Sequence, residues 1–155
     1  MRPLSGPLGD LLGLALPRDQ RFDLVVPVPL HWRRRWSRGF NQSELLAQDM
    51  ARRCGIPVQN IVRRTRATDV QAGLSNSRRR RNVADAFRVK AREAVAGRRI
   101  LLVDDVMTTG ATASACAAVL KRAGAKSVAL LALARVDRRL GAATAIHRSR
   151  RQGVS

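Results

Sequence analysis

ILLVDDVMTTGATASA, residues 100–115, runs large aliphatics into two adjacent carboxylates, then a threonine–glycine turn, then an alanine-rich segment. The aliphatic run has the continuous apolarity of a strand buried on both faces. The alanine-rich part reads as the helix that follows it. In an open α/β sheet, ligands bind beyond the carboxyl ends of the strands. Asp104 and Asp105 emerge there. The turn VMTTGAT then leads into the first turn of a helix, whose free amide groups and positive dipole end attract anions. Thr108, Thr109 and Thr112 add hydroxyl donors, and Gly110 lets the backbone come close to a ligand. Carboxylates suit sugar hydroxyls and the threonine loop suits a phosphate. A sugar phosphate satisfies both halves.

Other readings of the stretch require residues that are absent. A dinucleotide fingerprint needs G-x-G-x-x-G and a nucleotide P-loop needs G-K-[ST]; neither occurs in the chain. A receiver domain also places an acidic pair after an apolar strand, but it needs more chain than the fifty residues or so that remain. An ordinary acidic helix cap needs only one Ser, Thr or Asp.

The flanking sequence supplies further elements. FDLVVPVPL (22–30) reads as a buried strand closed by prolines. NQSELLAQDMARRCG (41–55) predicts a helix with Leu45, Leu46, Met50 and Cys54 at helical spacing and Gly55 as its stop. Asn41 is the expected N-cap, with Glu44 completing a capping box. IPVQNIV (56–62), AFRV (86–89), RRILLVDD (98–105) and SVALLALARV (127–136) read as strands, and 111–124 as a helix ended by Gly124. Residues 63–85 hold seven arginines with no sustained period, and read as a long loop turning helical near its end. No internal repeat is visible. Strands alternating with helices predict an α/β domain with a mostly parallel central sheet flanked by helices.

Composition sets the outer bounds. The 155 residues fit one domain, drawn as 1–137, with 138–155 a basic, flexible tail. The net charge is +19, almost all from arginine, since the lysines are only Lys90, Lys121 and Lys126. Such a balance points to anionic partners, phosphates above all. A genome rich in G and C is the bland alternative source of those arginines. Cys54 and Cys116 have no C-x-x-C spacing, so they read as small apolar helix residues rather than a zinc site or a disulfide framework. LLGLAL (11–16) is too short to span a membrane, and a cytoplasmic protein without membrane insertion is expected.

VDDVMTTGAT (103–112) resembles the phosphoribosyl diphosphate (PRPP) motif of type I phosphoribosyltransferases. VPVPLHWRRRWSRGFNQ (26–42), QAGLS (71–75) and RRNVADAF (80–87) further resemble the competence protein F (ComF/GntX) family. The resemblance covers roughly residues 8–137. It implies a Rossmann-like phosphoribosyltransferase fold, Mg²⁺-dependent PRPP binding and, in some members, a role in natural transformation and DNA uptake. Carried over, Asp104 and Asp105 hold the ribose hydroxyls, while Val106, Met107, Thr108, Thr109, Gly110, Ala111 and Thr112 form the PRPP loop around the 5′-phosphate. Pro29, Leu30, His31 and Arg33 face the pyrophosphate, and residues 65–81, with Gln71, Leu74 and Arg78, form a mobile closing loop. Many relatives begin with a four-cysteine zinc ribbon. This chain carries none, and no zinc is expected.

Displacing pyrophosphate from a ribosyl carbon builds opposite charges on sugar and leaving group, so catalysis rests on positioning and electrostatics. Arg33, Arg34, Arg35 and Arg38 follow the first strand, and the arginine fork suits pyrophosphate oxygens. With the acidic pair, Arg33 and Arg38 are the catalytic candidates. A solvated basic surface is the alternative. His31 is a candidate donor, Trp32 and Trp36 either stack on a base or pack, and Asp69 is a candidate general base. Two function classes remain. One is a transferase acting on an unknown acceptor and releasing pyrophosphate. The other is a non-catalytic module on the same fold that senses PRPP or binds nucleic acid. Single-stranded DNA and competence proteins are the partners considered, because arginines cluster at 33–38, 63–66, 78–81 and 148–151.

Overall fold

A computed structural model describes residues 5–16, 18–29, 41–65, 86–107, 109–135 and 146–147. In chain order the elements are α1 (Ser5–Leu14), β1 (Leu24–Pro27), α2 (Gln42–Cys54), β2 (Val62–Arg64), β3 (Phe87–Val89), β4 (Arg99–Met107), α3 (Ala111–Arg122), β5 (Ser127–Arg135) and β6 (Ile146–His147). One sheet has the order β1-β4-β5-β6, and β2 and β3 form a separate two-stranded ribbon. β1 and β5 both run parallel to the central β4, with Leu24 beside Ile100 and Leu102 beside Leu130. The expected α/β architecture is what forms.

The two faces of β1 and β4 are read off by alternation. Leu24, Val26, Ile100 and Leu102 pack with Ala115, Cys116, Val119 and Leu120 of α3 and with Val62 and Phe87 of the ribbon. Val25, Leu101 and Val103 pack instead with Leu46, Ala47, Met50 and Ala51 of α2 and with Leu12 of α1. Successive strand side chains point to opposite faces, so a strand apolar throughout must be covered on both. Truncating a core leucine such as Leu102, which is fully buried, costs about 2–5 kcal/mol.

Local departures from the sequence reading have local causes. β1 ends at Pro27, short of residue 30, although the Val28 amide still donates to the Val103 carbonyl at 2.8 Å. Residues 56–62 do not form one strand. Val58 makes a single parallel bridge to Val25, and the chain then leaves the sheet to pair Val62 with Val89. Pro57 offers only its carbonyl, which accepts from the Val25 amide at 2.9 Å. β4 runs two residues further than expected, to Met107. α3 ends at Arg122, one residue short of an Ala123 C-cap and two short of Gly124. Within the segment expected to be a free tail, Ile146 and His147 pair antiparallel with Leu131 and Leu130. LLGLAL (11–16) supplies the end of α1, and Leu12 is buried against α2. Both cysteines lie on helices, but only Cys116 is buried; Cys54 is exposed at the end of α2. No helix among the described residues is long and apolar enough to cross a membrane.

α2 starts and stops as expected, with one change. The Asn41 side chain caps it by accepting from the Ser43 amide at 3.2 Å, and Gly55 closes it at φ 67°, where a side chain would be strained. The capping box is not made. Glu44 accepts instead from the Asn60 side chain at 2.6 Å, tying the helix start to the segment after Val58.

Candidate functional site

β1 stops beside Val103, so beyond that point β4 loses one neighbour and its next residues face an open edge. Those residues are Asp104 and Asp105. The first turn of α2 fills the gap with Ser43, which is 2% exposed. The Ser43 hydroxyl lies 3.2 Å from Oδ1 of Asp104 and 3.3 Å from Oδ1 of Asp105, in donor geometry to both. In return, Oγ accepts from the Asp105 amide at 3.1 Å, an amide also 2.9 Å from Asp104 Oδ1. The Val106 amide donates to Asp105 Oδ1 at 2.9 Å. Among the described residues, the hydrogen bonds to these two carboxylates all use Oδ1.

The Asp104 carboxyl is pushed up to about 7, first by burial and then by hydrogen bonding to, and like charge with, the neighbouring Asp105 carboxyl, against the opposing pull of the Ser43 hydroxyl and the Asp105 amide. A half-buried acidic pair of this kind calls for hydroxyl donors or a cation. Cys116 lies behind it, its thiol pushed up to about 12 by burial first and by the Asp104 charge second, so it stays protonated and inert.

The turn after β4 delivers the anion-binding half. Val106 is exposed and Met107 is buried. Gly110 is the N-cap of α3 at φ 76° and has no side chain of its own with which to cap the helix. The Thr109 hydroxyl accepts from the Ala111 amide at 3.3 Å, while Thr112 is half-buried in the first turn. A helix start whose N-cap residue is glycine presents amide donors and a positive partial charge to an anion. Acceptors from β4 and donors from α3 therefore lie a few residues apart at one sheet edge.

Of the residues singled out from sequence, the structure brings together Asp104, Asp105, Val106, Met107, Thr109, Gly110, Ala111 and Thr112. Pro29 is half-buried just past the end of β1. Thr108 lies outside the described residues, as do Leu30, His31, Trp32, Arg33, Arg34, Arg35, Trp36, Arg38, Asp69, Gln71, Leu74 and Arg78. Ser43 was missed. Its signal was present, since positions 43, 46, 47, 50 and 51 make one buried helix face on which serine is the lone hydroxyl.

Also missed was a second concavity of about 710 Å³ between the β2–β3 ribbon and the far end of α3. Phe87 and Val119 line it together with Arg88, Arg92 and Arg122, and among the described residues no acidic side chain does. The Arg92 guanidinium donates to the Arg122 carbonyl at 3.0 Å. Val119 is eight residues along α3 from Ala111, roughly 12 Å at helical rise, so this cleft is separate from the acidic pair.

The comparison with known families decides the relationship. Residues 41–146, from the α2 cap to β6, match the phosphoribosyl transferase domain. The chain belongs to the phosphoribosyltransferase family. Competence protein F of Haemophilus influenzae is 40% identical over 115 residues, which is 73% of this chain and 50% of that protein. DNA utilization protein YhgH of Escherichia coli K12 is 46% identical over 125 residues, 79% of this chain and 52% of that protein. These relatives bear out the competence protein F resemblance, and the chain spans about half their length. Among solved structures, glutamine PRPP amidotransferase of B. subtilis superposes with a TM-score of 0.59 at 24% identity, covering 83% of this chain and 26% of that one. Adenine phosphoribosyltransferase of Thermoanaerobacter pseudethanolicus gives 0.57 at 19%, covering 83% and 66%. Both likenesses establish the type I phosphoribosyltransferase fold.

Proposed function

We propose that this protein binds PRPP with Mg²⁺ and transfers its phosphoribosyl group to a nitrogenous acceptor, releasing pyrophosphate. The observation that carries the reading is the Ser43-held pair Asp104–Asp105 on β4, followed within a few residues by the glycine-capped start of α3. In this reading Oδ2 of each aspartate accepts from a ribose hydroxyl. The α3 amides, with the hydroxyls of Thr108, Thr109 and Thr112, hold the 5′-phosphate. The bond from C1′ to the pyrophosphate oxygen breaks as the acceptor nitrogen closes on the same carbon. Arg33 and Arg38, with Pro29, Leu30 and His31, are assigned to the leaving pyrophosphate, and Gln71, Leu74 and Arg78 to the loop that excludes water.

Among the described residues no three His, Cys, Asp or Glu side chains converge as a metal cage. Two carboxylates do suit a hard cation that brings most of its oxygen ligands with it, as Mg²⁺ does on a diphosphate. Bound there, Mg²⁺ supplies neutralising charge to the leaving group. Asp104 and Asp105 are the residues placed to sense it. The site is assigned to the cytoplasm, where such a substrate is found.

Calorimetry with PRPP and Mg²⁺, followed by a screen of nucleobases and amines for PRPP-dependent pyrophosphate release, tests the reading. Binding without release from any acceptor favours the sensing module. No binding removes the function.

The names of the relatives connect the reading to DNA uptake, and the arginine-lined cleft supports a second role in binding single-stranded DNA. Three guanidinium groups gathered in one cleft suit a phosphate backbone. Affinity is then charge-dominated and falls with salt at a slope near −0.7 per phosphate neutralised. Removing Arg88 and Arg122 together should flatten that slope by about 1.4. A slope equal to that of the unaltered chain excludes the cleft.

A further inference from the structure

Ser43 is an unusual occupant of its position. Leu46, Ala47, Met50 and Ala51 are buried on the same helix, where Asp49 is the other buried polar residue, and a hydroxyl there is costly unless bonded. It is bonded three ways, to Asp104, to Asp105 and to the Asp105 amide. A hydroxyl carries one proton, so it donates to one carboxylate at a time while standing between both. Two residues before it, Asn41 caps the same turn and donates to the Val28 carbonyl at 3.3 Å. The start of α2 is thereby fastened to the end of β1 and to the acidic pair together.

We propose that Ser43 is a positioning residue of the phosphoribosyl site, holding the Asp104 and Asp105 carboxylates at the spacing and orientation that accept the two ribose hydroxyls. This rests on the PRPP reading above. Its hydroxyl engages Oδ1 of both groups, which ties the two carboxylates to one point and fixes their orientation relative to each other. Without it, two like charges on adjacent residues have no shared donor and turn apart. The ribose diol then meets one aligned acceptor instead of two. The diphosphate, bound elsewhere in the site, is unaffected by Ser43. The role is therefore specific to one part of the ligand.

Three ligands and three variants test this, with PRPP, ribose 5-phosphate and pyrophosphate each titrated in the presence of Mg²⁺. Ser43→Ala removes the hydroxyl, Ser43→Cys keeps its volume with a far weaker donor, and Ser43→Thr keeps the hydroxyl. Alanine and cysteine should each weaken PRPP and ribose 5-phosphate about tenfold or more, as expected for a lost hydrogen bond to a charged group. Pyrophosphate affinity should stay within about twofold, and threonine should recover most of the loss. Urea midpoints of all three variants identify any that fail to fold. If threonine does not fold, the alanine and cysteine pair decides alone. Wild-type affinity for ribose 5-phosphate in both alanine and cysteine variants overturns the proposal. Equal weakening of all three ligands also overturns it, because that pattern marks general damage to the domain. An unaltered chain that binds neither PRPP nor ribose 5-phosphate overturns the PRPP reading itself, a result visible before any variant is made.

Discussion

The Asn41 side-chain amide donates to the Val28 carbonyl at 3.3 Å, across thirteen positions of chain, while its oxygen caps α2. One residue thus joins the end of β1 to the start of the helix that carries Ser43. Asn41→Ala removes both bonds and should destabilise the domain by about 1–2 kcal/mol in urea unfolding. Asn41→Asp keeps the cap and loses only the donor to Val28, so its loss should be smaller. Equal losses in the two variants argue against the Val28 tie.

Asp104→Asn and Asp105→Asn each remove a charged acceptor from the proposed ribose contacts. Hydrogen bonds to charged groups contribute roughly 1.5–3 kcal/mol, so PRPP affinity should fall at least about tenfold in each. Both variants should stay folded, since neither residue contributes to the apolar core. Calorimetry showing unchanged affinity in both rules out this site.

The ligand-free domain should lose stability as pH rises from about 4 to about 7. The Asp104 carboxyl ionises near 3.8 in the unfolded chain and near 7 in the folded one, so between those values the folded state binds more protons. Its contribution is most favourable below pH 4, declines through the window and is level above it. A loss on the order of a few kcal/mol follows from a shift of this size. Urea unfolding at pH 5 and pH 8 should show the decline in the wild type and much less of it in Asp104→Asn. The substituted protein should be the more stable of the two at pH 8. Parallel pH profiles count against a buried Asp104.

Gly110→Ala should weaken the anion-binding turn more than it weakens the fold. At φ 76° an L side chain costs about 1–2 kcal/mol, and the added Cβ would sit 3.4 Å from the Met107 sulfur. Thermal unfolding should report that modest loss. PRPP affinity should drop further, since the turn must shift to relieve the strain. A variant with unchanged affinity shows that the 5′-phosphate does not depend on this turn.

At the other end of the sheet, Asp23 and Arg99 join β1 to β4 through contacts of 2.7 and 3.0 Å. The Arg99 guanidinium holds the Asp23 carboxyl well below the usual range. Both side chains are more than a third exposed, and a pair in that setting contributes little. Asp23→Ala should therefore leave PRPP binding intact.

Much of this protein was legible as sequence because the signals were local. Ile100–Val103 followed by Asp104 and Asp105 pointed to a buried strand bearing the acids towards its carboxyl end, though β4 continues past them to Met107. Asn41 and Gly55 bounded α2 through their own backbone chemistry. The proposed PRPP loop could be read because strand, turn and helix are contiguous in it. What tertiary structure decided was which distant groups meet those segments. Ser43 looked like one more residue of a helical turn until β1 stopped beside Val103 and let α2 reach the acidic pair. Glu44 fitted a capping box until Asn60 came within reach. The cleft of Arg88, Arg92 and Arg122 exists only because the β2–β3 ribbon folds against the far end of α3. Local pattern determines an element through the few torsions and hydrogen bonds of its own residues. The polar partners of a buried group depend on packing between elements, and no spacing along the chain encodes that.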